Sequence, residues 1–325
     1  MVMTRDYVFP GAPLTQAASR LAGRIRMSRL DAAGAEAIKQ MWDVGIPSIL
    51  LRGPAIVRLL YGPSESRVYS DCDILVPEAR HAEAEGILET CGYSPILRRD
   101  ALRDQAWHAL TWRRDSDWAT IDLHRSLIGA KALPSLVWEV LNEHSSTVET
   151  GGGRVRMPDA PGVALIVALH VAGHGPRWSK PHQDLARAIA RFSRDEWEQA
   201  ARMARKMQAA GAMRAGLSLV GGGESLALAL HLDEPSTETM LRASSPDGLV
   251  LNLHAIWTAR GIARKAKLLG RAVFPTRTRM ESRYPLARRG HVGLAIAYTG
   301  RLFVLMGRLP ENLRLWRVVR RSSRN

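Results

Sequence analysis

Residues 67–76 read RVYSDCDILV, and Pro77 follows directly. The run is apolar apart from its two aspartates, and it predicts a buried strand over Val68–Val76 that the proline ends. Side chains at positions i and i+2 of a strand point to one face, so Asp71 and Asp73 lie side by side, about 7 Å apart at Cα by the strand rise. Adjacent carboxylates repel each other, and a hard divalent cation such as Mg²⁺ compensates that repulsion. The alternative is a pair of exposed aspartates at a strand end.

A glycine turn precedes this strand. The apolar run Ile46–Leu51 predicts a strand, and Arg52, Gly53 and Pro54 turn the chain into a helix over Pro54–Tyr61. Proline is favourable at the first helical position because its missing N–H would have no partner there. The partial positive charge of the helix N-terminus near Gly53 favours phosphate.

A third acid lies in a later apolar run. Residues 120–124 read TIDLH, at the end of a predicted hairpin whose strands are Trp107–Arg113 and Trp118–Leu123. On a strand next to the first aspartates, Asp122 would complete a cluster of three carboxylates. Such a cluster could hold two metal ions, the arrangement used for in-line phosphoryl or nucleotidyl displacement.

The order of these elements predicts an α+β fold, with a mixed sheet covered by helices in the N-terminal half and a mostly helical C-terminal half. We expect an arm or cap over residues 1–30, a first domain over 31–150 and a helical domain with a basic tail over 151–325. The glycines at 151–153 predict a hairpin or linker at the boundary. Asp31 is the expected N-cap of the first helix. Two poorly patterned stretches, 232–247 and 270–290, are predicted to be loops, and the glycines at 221–223 a helix break.

Composition indicates which kinds of partner and which cellular compartment to expect. The net charge is +15 and the pI about 10.7, a balance that favours anionic partners such as nucleotides, nucleic acid or an acidic membrane surface. The two cysteines, Cys72 and Cys91, provide neither a disulfide framework nor a zinc signature, and they indicate a reducing cytoplasm. The apolar stretch Val292–Met306 contains Arg301 and is too short to span a bilayer comfortably, so no transmembrane segment is expected.

In combination, these motifs resemble those of a known family. The stretches LLRGPAIVRLLYG (50–62), RVYSDCDILVP (67–77) and TIDLHRSL (120–127) are similar to the bacterial family of uncharacterised nucleotidyltransferases, within the polymerase-β-like nucleotidyltransferase superfamily. LIVALHVAGHG (165–175), DLARAI (184–189) and the RYPLARRG region (283–290) extend the resemblance over roughly residues 30–310. It implies a catalytic α+β domain followed by a helical domain.

The resemblance also implies a role for each acid. Asp71 and Asp73 would bind Mg²⁺ or Mn²⁺, Asp122 would be the third metal ligand and the base for an acceptor hydroxyl, and Gly53 would let the backbone approach a triphosphate. The superfamily usually has Ser or Gly after the motif glycine, whereas Pro54 offers neither a hydroxyl nor an N–H. The phosphate contacts would then depend on three other residues: Arg52, Arg67 and Ser70.

The expected activity is transfer of a nucleoside monophosphate from an NTP, such as ATP, to an unidentified acceptor: a small molecule, a peptide, a sugar or a protein. One alternative is a catalytically reduced nucleotide-binding or regulatory protein with the same fold, for which Pro54 is the best support. Another is a basic nucleic-acid-binding module, supported only by charge and by the arginines of the C-terminal tail.

Several histidines and one further acid have more than one interpretation. His170 and His174 share a helix face. They are either a structural pair or, with Lys180, residues that lie over the catalytic cleft. Zinc ligation is disfavoured because Val171 replaces the glutamate of the zinc-protease motif. His124 shares the face of Asp122 and, like His108, is either a solvated strand residue or part of the acceptor site. Asp184 is expected to be a first-turn acid or cap.

Overall fold

The structure is a computed structural model, and it describes residues 16–62, 65, 67–96, 107–150, 152–245 and 248–322. The predicted arm is therefore described only from residue 16. The strands are β1 (Ile49–Leu50), β2 (Cys72–Leu75), β3 (Tyr93–Pro95), β4 (Ala109–Arg114), β5 (Thr120–His124), β6 (Ser145–Thr150) and β7 (Gly153–Pro158). The helices are α1 (Gln16–Asp43), α2 (Pro54–Leu60), α3 (His81–Thr90), α4 (Pro134–Glu143), α5 (Ala160–His174), α6 (Ser179–Arg191), α7 (Arg194–Lys206), α8 (Ala210–Leu217), α9 (Gly223–Ala229), α10 (Thr237–Ser244), α11 (Gly248–Thr258), α12 (Ile262–Val273), α13 (Arg277–Arg283) and α14 (Gly290–Ser322), with 3₁₀ turns at Glu78–Arg80 and Pro285–Arg288.

A five-stranded mixed sheet organises the N-terminal half, in the order β1-β2-β5-β4-β3. Only the β2–β5 pair is parallel, and the other pairs are antiparallel. All four residues of β2 are buried, which explains its continuous apolar pattern. The α+β class predicted from the element order is thus confirmed.

The first helix is longer than the sequence pattern predicts. α1 runs from Gln16 to Asp43 without interruption, so the N-cap expected at Asp31 is wrong. Asp31 lies inside the helix, where its carboxylate accepts a hydrogen bond from the Tyr69 hydroxyl. α1 also packs on β2, since the Cys72 thiol donates to the carbonyl oxygen of Leu30 over 3.1 Å.

The expected hairpin is formed by β6 and β7, which pair antiparallel from Ser145 opposite Pro158 to Thr150 opposite Gly153. A Cβ on Gly152 would lie 2.4 Å from the carbonyl oxygen of Asp31, so this turn of the hairpin lies directly against α1. One hydrophobic core runs from Leu30 through the sheet and on to Leu232. The hairpin therefore packs with the sheet as well as leading into the helical half.

Helix α5 is buried between its neighbours and follows directly after the hairpin. Eleven of its residues are buried, on every side of the helix, and the Asp159 carboxylate caps its N-terminus by accepting from the Gly162 amide. α6, α7 and α8 pack around it. The predicted helix break at 221–223 is confirmed, since α8 ends at Leu217 and α9 begins at Gly223.

Both predicted loops in the C-terminal half are wrong. The stretch 232–247 contains α10, and 270–290 contains the end of α12, all of α13 and a 3₁₀ turn. Side-chain caps account for two of these helices: Ser236 accepts from the Thr239 amide, and Thr276 accepts from the Arg279 amide. These caps accept hydrogen bonds from backbone amides that have no partner within the helix. The weak apolar pattern of the two helices does not reveal them.

The apolar stretch Val292–Met306 lies within the much longer helix α14. By length and composition, Gly290–Arg321 could cross a membrane: its most apolar window has a mean hydropathy of 1.3, and 11% of that window is buried. Core helices of soluble proteins and signal sequences can meet the same criterion. The expected absence of a transmembrane segment thus stays a prediction. Its length argument does not apply to α14, because this helix is long enough to span a bilayer.

Candidate active site

The parallel pairing of β2 with β5 places two of the predicted acids side by side. Asp73 and Asp122 are register partners, so their side chains emerge on the same face of adjacent strands. Asp73 is 2% exposed, and Asp122 is half-buried. One ligand atom each from Asp73, Asp122 and His124 lie within 4.8 Å of one another. The sheet thus converts two distant sequence motifs into one cluster.

His124 belongs to this cluster and is not a solvated strand residue. It is 5% exposed, and its Nε2 lies 3.0 Å from Asp73 Oδ1. Burial is the main cause that lowers its pKa to about 4, and the positive charge of Arg52 adds to this effect. The ring is therefore neutral at pH 7. The spacing of two residues from Asp122 was the only sequence signal for this position.

Arg52 lies among the carboxylates. Its guanidinium donates to Asp73 Oδ1 and also contacts the ring of His170. Burial lowers the pKa of Arg52, while the negative charges of Asp71 and Asp122 oppose that shift. Asp71 itself lies one residue before β2 and is half-buried. Its negative charge thus acts on Arg52. Asp71 is not among the three residues whose ligand atoms lie within 4.8 Å of one another.

The cluster fits a divalent cation. Asp122 Oδ1 is buried and has no hydrogen-bond partner among the described residues, so it is a free acceptor atom. A cation on His124 Nε2 would leave the single ring proton on Nδ1, which lies 3.4 Å from the Ser126 carbonyl oxygen. Two carboxylates and one neutral imidazole form a reasonable ligand set for Mn²⁺, and the carboxylates alone for Mg²⁺.

The backbone conformation of the turn explains why residue 53 is a glycine. Gly53 adopts φ 64° and ψ −107°, a backbone conformation that side chains with a Cβ rarely adopt. A Cβ there would lie 3.4 Å from two ring carbons of Tyr69. The turn is therefore packed under the Tyr69 ring, and α2 after it is only seven residues long. Ser70, another predicted nucleotide ligand, is exposed beside Asp71.

Arg67 lies in a buried ion pair with Asp184 of α6. Its Nε and Nη2 donate to the two carboxylate oxygens over 2.7 and 2.6 Å, and Tyr61 Oη donates to the same carboxylate over 2.6 Å. Arg67 is 7% exposed and Asp184 1%. The expectation that Asp184 is a first-turn acid or cap is wrong, because α6 begins at Ser179 and places Asp184 in its second turn. This pair ties the segment that leads into β2 to the helical half.

We expect Asp184→Asn to destabilise the fold by about 3–5 kcal/mol, because it leaves the Arg67 charge buried without its ionic partner. The matched control is Glu65→Gln, which breaks the Arg187–Glu65 pair between the same two parts of the chain. Both members of that pair are 38% exposed and screened by solvent, so its loss should destabilise the fold far less than the loss of the buried pair. Urea unfolding of the two variants measures the difference, and equal losses would contradict a structural role for the buried pair.

Three basic side chains of α5 and α6 face the cluster from the helical half. His170 and His174 have ring centroids 4.3 Å apart, and burial with the nearby charge of Arg52 lowers the pKa of both, that of His174 to about 4. Burial also lowers the pKa of Lys180, against the negative charges of Asp184 and Asp71. The two histidines are thus neutral at pH 7. His108, on the sheet side, has its ring 5.7 Å from that of His124, and burial lowers its pKa to about 3.

The sequence matches a known protein family over more than half of its length. Residues 12–221 match the profile of a family described as "Uncharacterised nucleotidyltransferase". The match covers the sheet and ends before α9, so α9 to α14 and the RYPLARRG region lie outside it. No curated protein matches the sequence significantly.

Several solved structures share remote similarity with the chain. A structure of the antibiotic-resistance factor ANT(2'')-Ia has 14% identity over 59% of this chain and 94% of that one, with a TM-score of 0.38. The lincosamide antibiotic adenylyltransferase LnuA has 13% identity over 48% of this chain and 93% of that one, with a TM-score of 0.34. An antigenic nucleotidyltransferase-like protein from Paracoccidioides brasiliensis has 12% identity over 70% and 99% of the two chains, also with a TM-score of 0.34.

Proposed function

Since the chain belongs to the uncharacterised nucleotidyltransferase family, we propose that it transfers a nucleoside monophosphate from an NTP to an acceptor and releases pyrophosphate. The observation that carries this proposal is the convergence of Asp73, Asp122 and His124 within 4.8 Å. A buried and a half-buried carboxylate side by side on two inner strands of a sheet are costly unless they serve a cation or a reacting group.

The proposed reaction is a substitution at the α-phosphorus of the NTP. The acceptor hydroxyl oxygen attacks the α-phosphorus of the NTP and forms a new P–O bond, while the bond from that phosphorus to the bridging oxygen breaks and pyrophosphate leaves. The hydroxyl proton is transferred to a carboxylate. Asp122 is suited to accept it, because its Oδ1 has no hydrogen-bond partner among the described residues.

Asp73, Asp122 and His124 would hold a divalent cation, with Asp71 beside them. When bound, Mg²⁺ or Mn²⁺ would supply charge stabilisation for the transferring phosphoryl group. The chain's own cations complement this role: Arg52 and Lys180 lie next to the acids, and we propose that both contact the phosphates of the nucleotide. Arg67 contributes charge nearby while its Nε and Nη2 remain bonded to Asp184. Ser70 and the Gly53 backbone are further proposed contacts.

The test is a screen for pyrophosphate release with each of the four NTPs, with and without Mg²⁺ and Mn²⁺. Acceptor pools of sugars, peptides, small hydroxylated molecules and proteins are added in turn, and α-labelled NTP reports where the nucleotide goes. Cation-dependent labelling of one acceptor class is the expected result. Tight NTP binding with no labelling and no pyrophosphate from any pool would overturn the proposal.

A second candidate is a nucleotide-binding protein without turnover. Pro54 in the glycine turn favours it, since this position lacks both the hydroxyl and the N–H that the superfamily usually has there. The ion pair between Arg52 and Asp73 favours it as well, because a guanidinium already compensates the charge of that acid. NTP binding that is unaffected by Mg²⁺ or Mn²⁺ would support this second candidate. For either function we propose a cytoplasmic location, in keeping with two free cysteines.

A further inference from the structure

The net positive charge of the protein comes from its C-terminal region. Residues 248–325 contain 17 of the 46 Lys and Arg residues but only 2 of the 31 Asp and Glu residues, so this region alone has a net charge of +15. The preceding 247 residues are therefore neutral overall. Two acids, Glu281 and Glu311, cannot neutralise this many cations within the region. The charge is a property of α11 to α14, outside the part of the chain that matches the family.

Helix α12 presents two different faces to its surroundings. Ile262, Leu269 and Val273 follow one another at helical spacing along one side, whereas Arg264 and Lys267 lie on the opposite side. The helix has no buried residue. Ile262 is 87% exposed and Leu269 53%, and Phe274 directly after the helix is 60% exposed. An amphipathic helix with basic residues on its polar side is typical of segments that lie in a membrane interface.

Helix α14 adds a second exposed apolar segment. Its two ends pack on neighbours, Ala297 near Met280 and Val319 near Leu241. Between and around these contacts, apolar side chains remain exposed: Val292, Ile296, Phe303, Val304, Met306 and Leu309. Trp257, at the end of α11, is 58% exposed and stacks edge-on against Trp316 at a centroid distance of 5.3 Å. Tryptophan is enriched at the level of lipid headgroups.

We propose that α11 to α14 form a docking surface for an anionic lipid bilayer, with the apolar side chains of α12 and α14 entering the interface and the basic residues contacting headgroups. Nucleic acid would match the charge, but it does not account for exposed Ile262, Leu269 and Phe303. A second copy of the chain would match the apolar side chains, but it would bring two strongly positive regions together. A negatively charged bilayer satisfies both features at once. The inference does not depend on nucleotide transfer.

The experiment is co-sedimentation of the full chain with vesicles of phosphatidylcholine alone or of equimolar phosphatidylcholine and phosphatidylglycerol. The charge variant is Arg264→Glu with Lys265→Glu and Lys267→Glu. Its matched control reverses three exposed basic residues of α6 and α7, namely Arg191, Arg202 and Lys206. The two triple variants have the same net charge. An apolar variant combines Ile262→Ser, Leu269→Ser and Phe274→Ser, and circular dichroism with melting curves verifies that each protein is folded.

The wild type should bind the anionic vesicles, and binding should weaken as salt is raised. The charge variant should lose affinity by about a hundredfold, whereas the control variant retains most of it. The apolar variant should also bind weakly. Wild-type chain that does not sediment with anionic vesicles would overturn the proposal. So would vesicle binding that is equal in both triple variants, self-association that the apolar variant abolishes, or tight RNA or DNA binding that the apolar variant leaves unchanged.

Discussion

Asp73→Asn should lower nucleotidyl transfer by at least about a thousandfold, because this carboxylate contacts both His124 and Arg52. The amide keeps the shape of the side chain but loses the charge that would hold a cation. Arg52 would lose its ionic partner in a buried position, so a loss of up to about 3 kcal/mol in the free energy of unfolding is expected as well. Activity is therefore measured well below the melting temperature of the variant. The readout is pyrophosphate release with saturating NTP and Mn²⁺.

Two comparisons make this experiment decisive. Asp43→Asn, a change at an acid whose side chain is 52% exposed, is the matched control and should leave activity unchanged. Asp71→Asn then separates two ligand sets. If Asp71 is a ligand, as the family resemblance implies, its loss should match that of Asp73; if the cation is held by Asp73, Asp122 and His124, Asp71→Asn should retain much more activity. Near-normal turnover of Asp73→Asn would exclude this cluster as the active site.

Asp122→Ala should erase chemistry without harming the metal-free protein. Asp122 Oδ1 is buried and unpartnered among the described residues, and its strand neighbour is another carboxylate. Removing it takes away an unsatisfied acceptor and a like charge, so the melting temperature without metal should stay the same or rise. The same change removes the proposed base and a metal ligand. Turnover should therefore fall below detection, while some NTP binding remains.

The metal dependence of the melting temperature provides the second half of this test. A cation that binds only the folded state stabilises it by about 2.7 kcal/mol when present at a hundred times its dissociation constant. Wild type should thus melt at a higher temperature with Mn²⁺ or Mg²⁺, and Asp122→Ala should show little or no such increase. Asp115→Ala, on the turn of the same hairpin and 77% exposed, is the matched control and should respond to metal like wild type. A wild type that is indifferent to both cations would support the nucleotide-binding protein without turnover.

Periodicity predicted most of the sheet and the order of its helices. The apolar run around Asp73 and the short run around Asp122 each signal a buried strand, because a short run of apolar residues bounded by turn residues is typical of one. Strand lengths were overestimated: β2 begins at Cys72 and not at Val68, since apolar side chains also occur beside a strand. The helices after Ser236 and Thr276 were missed because their caps carry the signal and their apolar faces are weak.

The sequence by itself determined the acids, their spacing along the chain and the concentration of net charge at the C-terminal end, all of which are local properties of the chain. Only the tertiary structure decided which groups meet. His124 enters the cluster because β5 pairs in parallel with β2, and Arg52 contacts His170 across 118 positions of sequence. Arg67 is paired with Asp184, 117 positions away, through the packing of α6. Such contacts depend on how buried faces pack together, and local periodicity specifies which face of an element is buried but not what it packs against.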